Sequence, residues 1–386
     1  MRIGFLFNHH GGHQVAHALP VAFELQRQNS EAEVSILVSA GCEAEVRRLA
    51  AVQAVRNAIP EIIRLRPPSA LASAANKATG RAIPADIVSV LHRNLDRFRA
   101  LDALVVPEKT SLLLKSLFGL KSLRLVHTRH GAGDRAIGFD KASGKFDLVL
   151  LSGEKIRDRL AQAELLKEDG HAIVGYPKFD LPPRSAGPRL FPKDRPTVVY
   201  NPHPSPALSS WYAMGPQILD WFVKDDRYNL IFAPHIMLFK KRLTASLSPF
   251  ALGWNYGPRP DHYEHDHVLI DTGSAASLDM TYTDAADIYI GDASSQVYEF
   301  IRRPRPCIFL NPRRIAWQGN PDFAHWRAGT VVETMDELAA ALAEVPRLSA
   351  AMHDRQEDMF RYSFDLQERP SSERAAEAIL AYMARQ

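Results

Sequence analysis

The sequence predicts an α/β protein made of two doubly wound, Rossmann-like domains facing a central cleft. Three observations carry this expectation. Apolar runs of strand length alternate with segments of helical periodicity along the whole chain, which argues for βα units and parallel sheets. A proline- and charge-rich break, LPPRSAGPRLFPKDRP (181–196), interrupts the alternation, which then restarts. The 386 residues suffice for two domains, each with its own core.

In the first half the strand-like runs are IGFLF, EVSILVS, ALVVP, LRLVHT and DLVLLS. Segments such as VAFELQRQ and SGEKIRDRLAQAELL carry apolar residues at helical spacing between them. Behind the break, TVVYNP, NLIFAP, HVLID, DIYIG and CIFLNP read as strands, with helices around 212–222, 296–302 and 336–344. The end, PSSERAAEAILAYMARQ, reads as a helix opened by serines after a proline. The expected boundaries are a first domain over 1–182, a linker over 183–196 and a second domain over 197–368. A terminal helix over 369–386 is expected to pack back on the first domain.

Composition narrows the function. With 46% apolar and 24% charged residues, disorder is excluded as the overall state. A net charge of +3 gives no reason to expect a nucleic-acid partner. No run reaches the roughly 18 apolar residues of a membrane span. MRIGFLFNHHGG lacks a signal-peptide core, and Cys42 and Cys307 lie too far apart in sequence to suggest a disulfide framework. A cytoplasmic location is the expectation. The basic stretch from Lys109 to Arg135 includes SLLLKSLFGLKSLRL, which reads as a basic amphipathic helix weakened by Gly119. Such a helix packs on a core or lies on an anionic membrane surface, so peripheral membrane contact through Lys115, Lys121 and Arg124 is a second expectation.

Loops that follow strands hold the candidate chemistry. NHHGGHQVAH (8–17) pairs Gly11 and Gly12, which permit close backbone approach, with His13 and His17 at the spacing of a metal pair. No third ligand is evident, so no metal is expected there. VHTRHGAGDRAIGF sets His130 between a strand and a glycine turn, a natural place for a general base, with Arg129 and Arg135 available for phosphate. LIFAPHIML places His235 after another strand; alone it also reads as a core histidine. DIYIGDASSQVYEF sets Asp292, Ser294 and Ser295 at a helix start, either as ordinary caps or as an anion site. DHYEHDHVLID offers His262, His265 and His267 at mixed spacing before a strand, and a solvated loop is expected rather than a metal site. The surrounding WNYGPRPDHYEHD reads as a mobile, substrate-facing loop.

Taken in order, these motifs resemble the CDP-glycerol glycerophosphotransferases, the teichoic acid and capsule polymerase family. VHTRHGAGD is similar to its histidine-glycine motif, with Arg129 where tryptophan is usual. VGYPKFD (174–180), TVVYNPHPS and LIFAPHIML follow in the family's order. DAADIYIGDASSQVYEFIRRPRPCIFLNP resembles the family's serine motif, with Ala293 replacing a tyrosine and Glu299 an aspartate. The likeness runs from about Leu101 to the C-terminus; the first hundred residues match only a generic first domain. It implies a GT-B-like fold with an acceptor-side first domain and a nucleotide-donor second domain, and no cofactor or metal. His130 would be the base. His235, Ser294 and Ser295 would hold the donor diphosphate, with Asp292 orienting the turn. Arg129, Arg135, Gly11, Gly12 and His13 would serve the acceptor or its phosphate. The implied partners are a CDP-linked or other nucleotide-activated donor and a cell-envelope glycan or lipid acceptor. The alternatives are a GT-B glycosyltransferase using a nucleotide sugar and a non-catalytic nucleotide-binding module.

Overall fold

A computed structural model describes residues 1–9, 11–53, 59–79, 84–182, 189–240, 242–247, 250–255, 257–258, 263 and 265–385. Much of the expected linker and much of the expected mobile loop at 254–266 lie outside the described residues. The chain divides into two compact units. The first comprises Met1–Ala132, Ala136–Pro182 and Arg361–Gln386; the second comprises Gly133–Arg135 and Pro183–Phe360.

The first unit has seven strands: β1 (Arg2–Phe7), β2 (Glu33–Val38), β3 (Glu61–Arg64), β4 (Ala103–Val106), β5 (Arg124–His127), β6 (Leu148–Leu151) and β7 (His171–Ile173). All pair in parallel in the order β3-β2-β1-β4-β5-β6-β7. The apolar runs suit this sheet because both of its faces are covered. Along β1 the strand period of two sends Ile3, Phe5 and Phe7 into one core and Leu6 into the other. The helices Leu19–Gln28 and Ser371–Ala384 pack together over the first of these cores. VGYPKFD seats the terminal helix: Asp180 accepts the backbone N–H of Ser371 and Ser372 (3.2 and 2.6 Å), and Ser371 Oγ accepts the N–H of Tyr176 (2.9 Å).

The second unit repeats the plan with β8 (Thr197–Asn201), β9 (Asn229–Phe232), β12 (Val268–Ile270), β13 (Ile288–Gly291), β14 (Cys307–Leu310) and β15 (Thr330–Val332), in the order β12-β9-β8-β13-β14-β15. Counted within the unit this is 3-2-1-4-5-6, the doubly wound order, and the first unit has the same order with one strand added. An antiparallel hairpin, β10 (Leu243–Leu247) and β11 (Phe250–Trp254), is inserted between β9 and β12.

Every strand expected from the sequence is present. Four elements went unread: β3, β7 and β15, which are only three or four residues long, and the hairpin. The helix Val345–Ser363 was also unanticipated. The basic stretch corrects an expectation. It contains a four-residue helix, Leu113–Ser116, which cannot continue because Gly119 turns the backbone to φ 73°; Arg124 and Leu125 belong to β5 instead. Strand pairing with β4 claims the residues that looked amphipathic, and Lys115 binds Asp147 (2.5 Å). Among the described residues no helix is long and apolar enough to cross a membrane.

His127 ends β5 inside the core, stacked on Phe146 at 4.2 Å, and neither ring nitrogen makes a well-aligned hydrogen bond among the described residues, the Pro107 carbonyl lying near enough only to offset part of the effect of burial. Burial, followed by the charge of Arg129, holds its pKa well below the ordinary 6.5. The unfolded chain therefore takes up a proton below about pH 6.5 that the folded chain refuses. Stability is present above that pH and is lost as pH falls, by about 1.4 kcal/mol per unit for this group. His127→Phe should remove that slope and stabilise the protein at neutral pH by about 1–3 kcal/mol, since an unpaired buried polar group disappears. Urea titrations at several pH values check both effects; a destabilised variant would show that the ring has a hidden partner.

Candidate active site

Doubly wound sheets bind ligands beyond the carboxyl ends of their strands, at the point where strand order reverses. In the first unit that point lies between β1 and β4. The loop after β1 brings His9, His13 and His17 together, and His130 arrives after β5. Ring centroids are 4.7 Å apart for His9–His13, 6.4 Å for His13–His130 and 6.5 Å for His17–His130. The Cys42 thiol donates to the carbonyls of His9 and Gly11 (3.3 and 3.6 Å), and a Cβ on Gly12 would collide with Glu45, so both glycines shape the loop backbone.

His130 Nδ1 faces the carbonyl oxygen of Pro107, just beyond β4, at 2.7 Å. A carbonyl only accepts, so Nδ1 carries the proton and Nε2 keeps its lone pair. The residue retains an open surface although protein crowds it on most sides. That crowding lowers its pKa, with the Pro107 bond working against it and Arg129 and Lys109 adding to the depression. His17 is buried, and its pKa is held well below 6.5 by burial first, then by Lys178 and the neighbouring histidines. The Arg129 guanidinium donates to the Gly138 carbonyl (3.0 Å) and lies 4.9 Å from the Phe139 ring centre. The residue adopts φ 53°, a left-handed conformation that costs a side-chain-bearing residue about 1–2 kcal/mol. Such strain is retained where surrounding contacts over-determine it.

In the second unit the reversal lies between β8 and β13, and the turn after β13 is anchored there. Asp292 is buried, and its carboxylate accepts from the backbone N–H of His203 (2.8 Å), Ser210 (2.6 Å) and Ala293 (2.6 Å) and from Ser210 Oγ (2.8 Å). Its carbonyl accepts from Trp326 Nε1 (2.7 Å) and faces His325 Nε2 (2.8 Å). Asp292 therefore organises the turn. Ser294 is buried, with Oγ near the Gln296 N–H (3.4 Å), whereas Ser295 is exposed. The helix that follows, Gln296–Phe300, has only five residues, so its dipole offers little to an anion.

Two histidines that the chain presents in the same way stand beside this turn. Pro202-His203 follows β8 and Pro234-His235 follows the adjacent β9. In each the Nδ1 accepts the backbone N–H two residues on, from Ser205 (3.0 Å) and Met237 (3.2 Å). For His235 Nε2 is therefore the protonated nitrogen of the neutral ring. The rings lie 6.0 Å apart. Arg135 Nη1 also points at His203, 2.8 Å from Nε2; a guanidinium only donates, so Arg135 and the Ser205 N–H compete for the one acceptor nitrogen of the neutral His203 ring. Burial first, then Arg135, drives the His203 pKa well below 6.5, and burial lowers that of Arg135.

Asp134 completes a buried network in the same unit. It accepts from Tyr298 Oη (2.9 and 2.8 Å) and from the backbone N–H of His325 (2.9 Å), and its Oδ2 lies 2.9 Å from His325 Nδ1. His325 thus links Asp134 to the carbonyl of Asp292. By contrast, His267 of the expected solvated loop is buried, with Nε2 3.0 Å from the Phe222 carbonyl. That ring is a core group, because the residue precedes β12 directly. His262 lies outside the described residues. Among those described, no three His, Cys, Asp or Glu side chains gather as a metal-binding group.

The structure thus brings His13, Gly11, Gly12 and His130 together in the first unit, and Arg135, His235, Asp292, Ser294 and Ser295 in the second. Arg129 lines a cavity with His17, Thr128 and Gly131, while its guanidinium is engaged by the Gly138 carbonyl. His203, Asp134, His325, Tyr298 and Trp326 went unread as site residues, although the repeated Pro-His after successive strands was a visible signal for His203.

The two Rossmann-like units define a GT-B-like protein. No family model matches the chain, and no curated protein resembles it in sequence. Solved structures do share its fold. A variant of the wall teichoic acid polymerase TagF matches with a TM-score of 0.63 at 11% identity, covering 100% of this chain and 89% of that one. A UDP-N-acetylglucosamine 2-epimerase gives 0.61 at 14% identity, over 100% and 96% of the two chains. The enzyme from Neisseria meningitidis bound to UDP-GlcNAc gives 0.57 at 14% identity, over 100% of both. At these identities the likeness is one of fold, and at that level it agrees with the family the motifs resemble.

Proposed function

We propose that the protein is a cytoplasmic transferase that moves a glycerol-phosphate or related polyol-phosphate group from a CDP-activated donor to a hydroxyl of a cell-envelope glycan or lipid. One observation carries this reading: His130 and His235 hold opposite tautomers. His235 presents an Nε2–H donor, and at His203 two donors, the Ser205 N–H and Arg135, share one acceptor nitrogen, which leaves one of them in need of another acceptor. His130 presents a lone pair. A donor diphosphate supplies the missing acceptor, and an acceptor hydroxyl supplies the proton for His130.

In the proposed step the acceptor oxygen attacks the donor's β-phosphorus as His130 Nε2 removes its proton. The bond from that phosphorus to the bridging oxygen breaks, and CMP leaves with the electron pair. Arg135, His203, His235 and the exposed Ser295 hydroxyl would stabilise the charge that builds on the phosphoryl oxygens, a role that preorganised donors fill without reorganisation. Asp292 holds the backbone on which these groups stand. The ordered motifs from Leu101 onward and the fold shared with TagF support the choice of donor.

A nucleotide sugar is the second reading, favoured by the fold likeness to an enzyme bound to UDP-GlcNAc. Calorimetric titration with CDP-glycerol, CMP and UDP-GlcNAc separates the two. CDP-glycerol and CMP should bind, and Arg135→Ala, His203→Ala and His235→Ala should each weaken them about ten- to a hundredfold, the worth of a hydrogen bond to a charged group. Selective binding of UDP-GlcNAc would transfer the proposal to sugar chemistry. Unchanged affinity in all three variants would sink the site itself.

A further inference from the structure

The hairpin β10–β11 has two unlike faces. Its inner face is polar or small and is fastened to the second unit: Ser246 Oγ meets Ser205 Oγ at 2.6 Å, Asn255 bonds Thr244 Oγ1 (2.8 Å) and Tyr212 Oη (2.5 Å), and a Cβ on Gly253 would strike the Tyr212 ring. Strand alternation sends the other set of residues outward. Phe250, Leu252 and Trp254 are 71%, 56% and 61% exposed, and Leu243, paired with Trp254, is 45% exposed. Ala245, opposite Leu252, is exposed too. None of these outward residues is polar.

We infer that this outer face docks shallowly into an anionic lipid surface, with Phe250 deepest and Trp254 at the headgroup level. The order of residues along the hairpin supports that occupant. Register places Phe250 at the tip, Leu252 in the middle, and Trp254 with Leu243 at the base. The exposed cations Lys240 and Arg242 come immediately before that base. An apolar tip, then a tryptophan, then cations is the sequence of layers that a bilayer interface presents to a protein. Five strand residues at about 3.3 Å each span about 16 Å, so interfacial insertion of ~5–10 Å takes in the tip and the middle of the hairpin and leaves its base at the headgroup level. The unpaired outer edges of a two-stranded sheet exclude deeper burial, since no water reaches them in the hydrocarbon core.

A second copy of the chain fits less well. With aromatic side chains offering roughly 150–250 Å² each, the patch presents on the order of 500 Å², short of the ~800 Å² per partner of a stable interface. This surface is also distinct from the basic stretch at 111–125, and it does not rest on the catalytic reading.

Sedimentation of the full chain with phosphatidylcholine vesicles, with and without phosphatidylglycerol, tests the inference. The wild type should partition onto the anionic vesicles, more weakly as salt rises. The double variant Leu252→Ser, Trp254→Ser should lose at least tenfold in partition, and Lys240→Glu with Arg242→Glu should abolish the preference for anionic lipid. Both pairs are exposed, and an unchanged melting temperature confirms that they fold. Nucleotide affinity should be untouched, which keeps this test separate from that of the catalytic proposal. Wild-type protein that ignores vesicles, or a serine variant that binds as well as wild type, overturns the inference. So does a concentration-dependent dimer that the serine variant abolishes while vesicle binding is absent, because the occupant is then a second copy.

Discussion

Turnover of the His130→Ala variant should fall about 10²–10⁴-fold, the usual worth of a positioned general base, while its affinity for CMP stays that of the wild type. The separation follows from the geometry. His130 belongs to the first unit and is held by the Pro107 carbonyl in the tautomer that leaves Nε2 free to accept a proton. The groups proposed to hold the nucleotide belong to the second unit. A pH profile makes the assignment specific. Crowding by protein lowers the His130 pKa below 6.5, outweighing the Pro107 bond that raises it, and Arg129 and Lys109 lower it further. A base acts in its unprotonated form. The rate should therefore be flat at neutral pH and fall as pH drops through that lowered pKa, and this acid limb should disappear in the variant. Full activity in His130→Ala ends the assignment, and a CMP affinity that falls with it would mean that His130 helps hold the donor.

Asp134→Ala should destabilise the protein by about 2–3 kcal/mol, because buried donors lose their hydrogen-bond acceptor and are left unpaired. Its carboxylate serves Tyr298, the His325 backbone and the His325 ring, all buried, and none of these groups can turn to solvent for a substitute. The loss should also reach the turn, because His325 joins Trp326 on the Asp292 carbonyl. Denaturant unfolding measures the stability change, and titration with CMP measures the second effect. Asp134→Asn keeps the shape and one acceptor oxygen, and should lose distinctly less stability. An alanine variant as stable as wild type would show that the network adds nothing to the fold.

The sheet was legible because parallel strands covered on both faces are continuous apolar runs, and ten such runs stand out in this chain between helical segments. The short strands at 61–64, 171–173 and 330–332 were not, since three or four residues carry no period to read. Local pattern misread 111–125, where leucines at helical spacing ended as a short helix, a turn and the first two residues of a strand. Gly119 made the break, but pairing with β4 decided what came after it. The hairpin shows the opposite case: its alternation is plain in LTASL and FALGW, yet only the fold reveals that the apolar face points outward.

For the site, sequence by itself determined which residue types follow which strands: histidines after β1, β5, β8 and β9, and Asp-Ala-Ser-Ser after β13. A residue just past a strand's carboxyl end is delivered to one edge of the sheet whatever the rest of the chain does. What each group can do chemically was decided by tertiary structure alone. His130 keeps a lone pair on Nε2 because a distant carbonyl takes its Nδ1–H, while His235 carries its proton on Nε2 because a backbone amide occupies its Nδ1. Asp292 became an anchor and not a ligand contact because four donors converge on it, two of them from Ser210. Tautomer, burial and partner are properties of neighbours far apart along the chain, and no local pattern encodes them.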